Sequence, residues 1–221
     1  MKFLQANTLM IMSKACKDTL ARFVPVEALD EVVSLIDIYQ IKLKIRKSRL
    51  SKLGDFRPGI NGRLPQISLN GNLNVYAFLL VFLHELAHHI VWEKYGRAAA
   101  AHGKAWKETF GFLLRDFAHK GFFHSSLTEA VIDYSFKVKA SGLASASLQR
   151  QLRMFDKEPD NDNDNEKVFL EDMPERSLFV AANGRLFRKE GKLRKRYRCL
   201  CVRNKRTYLF HPMAEVFPAK E

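Results

Sequence analysis

The segment from Asn74 to Gly96 constrains this chain more than any other. Asn74 is a helix-capping residue and Gly96 a helix stop, and most of what lies between is apolar. Phe78, Leu79, Val81, Phe82, Leu83, Leu86 and Ala87 demand burial, so this helix belongs in a core. Yet His84, Glu85 and His88 are set into it. Two imidazoles and a carboxylate cost several kcal/mol to bury unless something compensates them.

A metal ion is the compensation that this spacing suits. His84-Glu85-Leu86-Ala87-His88 is an HExxH sequence. Residues four apart on a helix differ by about 40°, so His84 and His88 project from one face, one turn apart. Two imidazoles so placed can hold one zinc ion through nitrogen. Glu85, next to the first ligand, is placed as general base on a water that the metal activates. A catalytic zinc needs a third protein ligand and one open position. Lys94 occupies the place of the third histidine of metzincins, which excludes that subclass. His102 and Glu108 are the two candidates. His102 is preferred, because it opens the next helix and Gly103 permits close approach. His89 points about 100° away from His88 and is read as a supporting or surface residue. His119, His124 and His211 have no partner at ligand spacing.

Around this helix the pattern predicts an α+β domain. A helix capped by Asn7 runs towards Leu20, and a second starts at Pro25 with Val26, Leu29, Val33, Ile36 and Tyr39 on its stripe. Ile41, Leu43 and Ile45 alternate with Lys42, Lys44 and Arg46, a half-buried strand with a basic outer face. Gly54 to Gly59 reads as a turn, and Gln66 to Leu69 as a short strand. Helices follow at Gly103 to Ala118, from a capping box at Ser126 to about Ala140, and at Ser145 to Phe155. The domain is expected over residues 1–155. An acidic, Asp/Asn-rich linker is expected over 156–176. Its Asp160, Asp162 and Asp164 match an EF-hand start, but Asn165 replaces the turn glycine and no helix pair flanks it. A small basic β module takes 177–221. Its strands are expected at Leu178 to Ala181, Leu186 to Lys189, Tyr197 to Val202 and Thr207 to Phe210, with a hairpin turn at Asn183-Gly184.

Charge adds a second theme. The 221-residue chain carries 37 Lys+Arg against 24 Asp+Glu, a formal +13. Residues 185–206 contain eleven of these cations and one acid, Glu190. A polyanion partner, DNA or another nucleic acid, is the expectation, with Arg194, Lys195, Arg196, Arg198, Lys205 and Arg206 as phosphate contacts. Tyr197 and Tyr208 are expected to offer stacking surfaces. The longest uninterrupted apolar run is too short to span a bilayer, and Leu9 to Met12 is too short for a secretory leader. The three cysteines, Cys16, Cys199 and Cys201, are too few for a disulfide framework. A cytoplasmic protein without a membrane partner is the expectation.

From Ile67 to Phe117 the chain resembles the SprT-like family of zinc metallopeptidase domains, which includes the Spartan-type proteases. The strand Ile67 to Asn70, the lead-in Leu73 to Phe78, the motif His84 to His88, Tyr95-Gly96-Arg97 and His102 to Trp106 carry the likeness. The resemblance implies His84, His88 and His102 as zinc ligands, Glu85 as catalytic acid/base, and proteins bound to DNA as substrates. The tail departs from it. Family members often end in a zinc ribbon of two CxxC pairs, whereas this tail has only Cys199-Leu200-Cys201, with His211 as a further donor. Four ligands for a structural zinc are not assembled there. The expected activity is therefore that of a zinc-dependent endopeptidase working on proteins near or bound to nucleic acid. The alternative is a nucleic-acid-binding protein whose metal site is vestigial or structural.

Overall fold

The structure is a computed structural model and describes residues 17–49, 52–139, 145–156 and 167–219. The start expected at Asn7, Cys16, the end of the helix expected at Ala140, and the Asp160–Asn165 stretch lie outside the described residues. The chain divides into two compact units, residues 1–157 and 158–221. It is α+β, as the pattern predicts.

In the first unit a 3-10 turn, Val26–Ala28, leads into α1, Leu29–Ile38. Because that first turn is not α-helical, Val26 is swung out of the expected stripe and is 77% exposed. Three strands follow: β1 (Lys42–Arg46), β2 (Gly54–Arg57) and β3 (Gln66–Asn70). They form one sheet in the order β1-β3-β2, with β1 parallel and β2 antiparallel to β3. The strand β2 corrects the expectation of a turn at Gly54. A glycine, two charges and a nearby proline mask a strand that pairing with β3 stabilises, Phe56 lying opposite Ile67.

The helix α2 spans Val75–Tyr95. The Asn74 side chain accepts from the Tyr76 and Ala77 backbone N–H groups, and Gly96 ends the helix at a φ of 55°. Asn74 also donates to the Leu152 carbonyl at 2.9 Å and to Asp156 at 2.6 Å, tying the start of α2 to the end of the unit. Residues on every side of α2 are buried. By length and composition the segment Val75–Ala98 is apolar enough to cross a membrane, but 67% of its apolar window is buried within the fold. It packs against the sheet and against α3, Lys104–His119. The stripe expected on α3 is its buried face: Trp106, Phe110, Leu113, Leu114 and Phe117. Two more helices close the unit, α4 (Ser125–Phe136) and α5 (Ala146–Arg153). Ser145, expected as the first residue of α5, caps it instead. The cap of α4 is His124, whose Nδ1 accepts from the Ser126 backbone; the expected box begins two residues later and does not form.

The second unit is a six-stranded antiparallel sheet, in the order β4-β9-β5-β6-β7-β8. These strands are β4 (Val168–Phe169), β5 (Leu178–Ala181), β6 (Leu186–Lys192), β7 (Tyr197–Cys201), β8 (Thr207–Phe210) and β9 (Glu215–Ala219). The strands β4 and β9 were not anticipated. One has two residues and the other contains Pro218, a residue that argues against a strand. Val168 pairs with Val216 and Leu170 is fully buried, so this part of the expected linker folds with the module. The Asn183-Gly184 turn forms between β5 and β6, with Gly184 at a φ of 74°.

Candidate metal centre

The helices α2 and α3, the loop between them and the strand β2 build the site. The helix α2 presents His84 and His88 one turn apart, and the loop before α3 returns His102 to them. Nε2 of His88 lies 3.0 Å from Nε2 of His102, which lies 3.2 Å from Nε2 of His84. All three ligand atoms fall within 4.8 Å of one another. Nitrogens bound at about 2.05 Å around a tetrahedral metal stand about 3.3 Å apart, so this is the separation of co-ligands. Hydrogen bonds do not account for the cluster. A neutral imidazole with a free Nε2 acceptor cannot also donate there, so three converging Nε2 atoms cannot all be satisfied by one another. The three residues therefore fit a divalent metal ion.

The surroundings fix the rings. Trp106 packs against His84, His88 and His102 at centroid distances of 4.6, 5.2 and 4.5 Å, and its indole N–H reaches the His84 carbonyl at 3.4 Å. Phe110 lies 5.4 Å from the His84 ring. His102 has a φ of 58°, a left-handed backbone that costs a side chain with a Cβ about 1 kcal/mol. That strain turns the ring back towards α2. Glu108, the other candidate for third ligand, is 66% exposed at its side chain and faces Lys104 at 3.9 Å, so it takes no part.

Burial keeps the imidazoles ready for a metal. Desolvation, aided by the neighbouring rings, lowers His84 to about 3 and His88 to about 4, and burial lowers His102 as well. All three are neutral at pH 7, the form that binds a metal. The same shifts set a pH limit on the metal-free fold. A histidine whose folded pKa lies below its unfolded value is protonated first in the unfolded chain. The histidines' contribution to stability is complete above about pH 6.5 and falls as the pH drops through the window from 6.5 towards 4 and 3. Denaturant melts of chelator-treated protein at pH 4.5, 4 and 3.5 should show this acid limb, and added metal should move it to lower pH.

Glu85 faces β2. Its side chain is buried, and a Cβ placed on Gly54 would lie 2.5 Å from Glu85 Oε1 and 2.6 Å from Val81 Cγ1. Burial first, then the charge of Asp55, raises Glu85 to about 7, opposed by the Phe56 backbone N–H and by Lys52 and Arg49. A carboxyl poised there can take a proton and return it near neutral pH. Gly54 is thus a positioning residue that sequence reasoning missed; the glycine before an acid read as a turn. Gly54→Ala should leave the metal bound while displacing Glu85 or β2. We expect a loss of about 1–3 kcal/mol in stability and, for any hydrolysis that depends on Glu85, at least a tenfold fall in rate. Metal analysis beside the rate assay checks both.

The other histidines lie apart from this cluster, His119 exposed in the last turn of α3. His89 is buried rather than exposed, between the rings of Tyr39 at 5.3 Å and Phe56 at 5.5 Å, with Glu93 3.5 Å from its Nε2. His124 caps α4, and His211 accepts from the Met213 backbone.

In the second unit, Arg194, Lys195, Arg196, Arg198, Lys205 and Arg206 are all exposed. Arg194 to Arg196 sit in the turn before β7, while Lys205 and Arg206 sit in the turn after it. Lys189, counted among the basic residues, points inward. Its ammonium donates to the carbonyls of Leu170, Glu171 and Met173. Tyr197 is no stacking surface, because it is buried against Lys189. Tyr208 accepts from Arg185 and Asn204 at 3.1 Å. Cys199 and Cys201 share the buried face of β7, and Cys201 receives the Arg185 guanidinium at 3.1 Å. Among the described residues, the three-histidine cluster is the metal-ligand group. Comparisons of the chain with family models, with curated proteins and with solved structures find no match.

Proposed function

We propose that this chain is a zinc-dependent endopeptidase of the SprT-like kind, acting on proteins near or bound to nucleic acid. The observation that carries the reading is the convergence of three Nε2 atoms at 3.0 and 3.2 Å, with a buried carboxyl one residue along from the first ligand. A purely structural metal site has no need of such a carboxyl.

His84, His88 and His102 would hold the zinc. Bound there, zinc supplies Lewis acidity, polarising a carbonyl oxygen and easing the ionisation of water. The chain's own groups do the rest. Glu85 accepts a proton and later passes it to the departing amine nitrogen. The Phe56 backbone N–H and the flank of Gly54 hold that carboxyl in place. Trp106 and Phe110 keep the rings from rotating and limit water around them. Imidazoles favour zinc over magnesium or calcium, which take oxygen donors.

The nucleic-acid side of the reading is supported by the net charge of +13 and by the exposed tail cations. The deciding experiment measures bound zinc and cleavage of a DNA-bound protein, with and without the DNA. Zinc at about one per chain and cleavage stimulated by DNA are expected; zinc-loaded protein that cleaves nothing overturns the reading. A chain ending after Lys157 should keep its zinc, because every ligand lies in the first unit. It should bind oligonucleotides more weakly and with a shallower salt dependence, since each lost phosphate contact removes a share of counterion release. Titrations at two salt concentrations measure this directly.

A further inference from the structure

The first unit carries cations that neither the metal centre nor the tail explains. Its sheet buries one face: Leu43, Ile45, Ile67, Leu69 and Phe56 pack into the core. Alternation along the strand therefore brings Lys42, Lys44 and Arg46 out on the other face. The register sets Lys42 and Arg57 on either side of Gln66, and Lys44 and Asp55 on either side of Ser68. Arg49 crosses the outer side of β3, donating to Asn70 Oδ1 at 2.8 Å and to Ser68 Oγ and its carbonyl, both at 3.2 Å.

This face has little to neutralise it. Its acid is Asp55, already held by Lys52 at 2.6 Å and Arg57 at 3.1 Å. Among the described residues, Lys42, Lys44 and Arg46 have no ion-pair partner. Partial burial, and then repulsion from Lys42, Arg46 and Arg57, holds the Lys44 ammonium below its ordinary range. Cations crowded in this way gain from an external polyanion what no neighbour supplies.

The geometry favours a linear polyanion. Same-face positions on a strand recur about every 6.6 Å, comparable to the step between successive phosphates of an extended nucleic acid strand. A lipid surface offers no such repeat. We propose that the outer face of this sheet is a second nucleic-acid contact surface, on the metal-bearing unit itself, in which Lys42, Lys44 and Arg46 track successive backbone phosphates. The inference rests on the nucleic-acid half of the proposed function. It also explains how the unit that carries the metal can be held near a polyanion independently of the tail.

The test uses the full chain. Lys42→Glu, Lys44→Glu and Arg46→Glu are combined in one variant, and a second variant carries Gln at the same three positions. Tail cations Arg194, Lys195 and Arg196 are reversed in a third. Affinity for a single-stranded oligonucleotide is measured over a range of salt, with metal content and thermal unfolding as controls on the fold. Each phosphate contact on a single strand contributes about 0.7 to the salt slope, so the sheet variants should lose about two units of slope. Both should bind at least tenfold more weakly at low salt. A sheet variant that matches wild type in affinity and slope, while the tail variant does not, overturns the inference and leaves the proposed function standing. Wild-type protein that binds no oligonucleotide removes the nucleic-acid half of that function too. Vesicles rich in anionic lipid form the last arm: loss of vesicle binding with oligonucleotide binding intact would assign the face to a membrane instead.

Discussion

Replacing His102 with alanine should strip the metal from the protein and leave the fold in place. Two imidazoles remain on α2 in that variant, and a catalytic site with three protein ligands becomes one with two. We expect metal affinity to fall by well over a hundredfold, more than the tenfold to hundredfold usual for removing a group that only supports a ligand. After dialysis, bound zinc should drop from about one per chain to a trace. The fold should survive, because His102 lies in a loop, is only half-buried and sits at a strained φ of 58°. Losing the ring gives up packing against Trp106 but no core side chain. Glu108→Ala is the matched control: its side chain is turned to solvent beside Lys104, so zinc content should not change. Zinc retained in full by the His102 variant would sink the ligand assignment.

Much of this site is legible in the sequence, for a local reason. His84, Glu85 and His88 lie within five residues on one helix, and helical geometry alone dictates which faces they share. The Asn74 cap and the Gly96 stop obey rules that act within a turn or two. His102 lies farther off, but the end of α2 and the start of α3 leave only a short loop for it to bridge. What the sequence hides is what depends on pairing between distant segments. The strand β2 has a single large apolar residue, Phe56, and forms because β3 offers it an edge. With β2 unseen, Gly54 had no visible purpose, and neither did the Phe56 backbone N–H. The tail shows the same limit. Its run of cations reads as uniformly exposed on paper, yet alternation along β6 turns Lys189 inward. Charge is counted from a sequence, but its distribution in space follows only from register.

Glu85→Gln should abolish the proposed peptidase activity while raising the stability of the metal-free protein at alkaline pH. Glutamine keeps the size of the side chain, and its carbonyl oxygen can still accept from the Phe56 backbone N–H. It cannot take a proton. Loss of a general base costs about a hundredfold to ten-thousandfold in rate, and turnover should fall by that much with zinc content unchanged. The stability effect follows from linkage. Burial raises Glu85 from its ordinary value near 4.5 to about 7 in the folded chain. A carboxyl with a raised folded pKa supports the fold fully below about pH 4.5, and that support is lost as the pH rises through 7. Above pH 7 the metal-free wild type carries a buried charge that the variant lacks, so the variant should unfold at the higher denaturant concentration. Between pH 7 and 4.5 protonation of Glu85 offsets part of the histidine limb in wild type, so that limb should be steeper in the variant. Opposite signs in rate and stability exclude unfolding as the cause of lost activity, which a less conservative substitution could not do. They also give the reason to keep an ionisable group at a site where it weakens the fold: the carboxyl is retained for chemistry. Absence of cleavage by wild type and Glu85→Gln alike across the pH range would instead assign Glu85 to packing and leave the metal site vestigial.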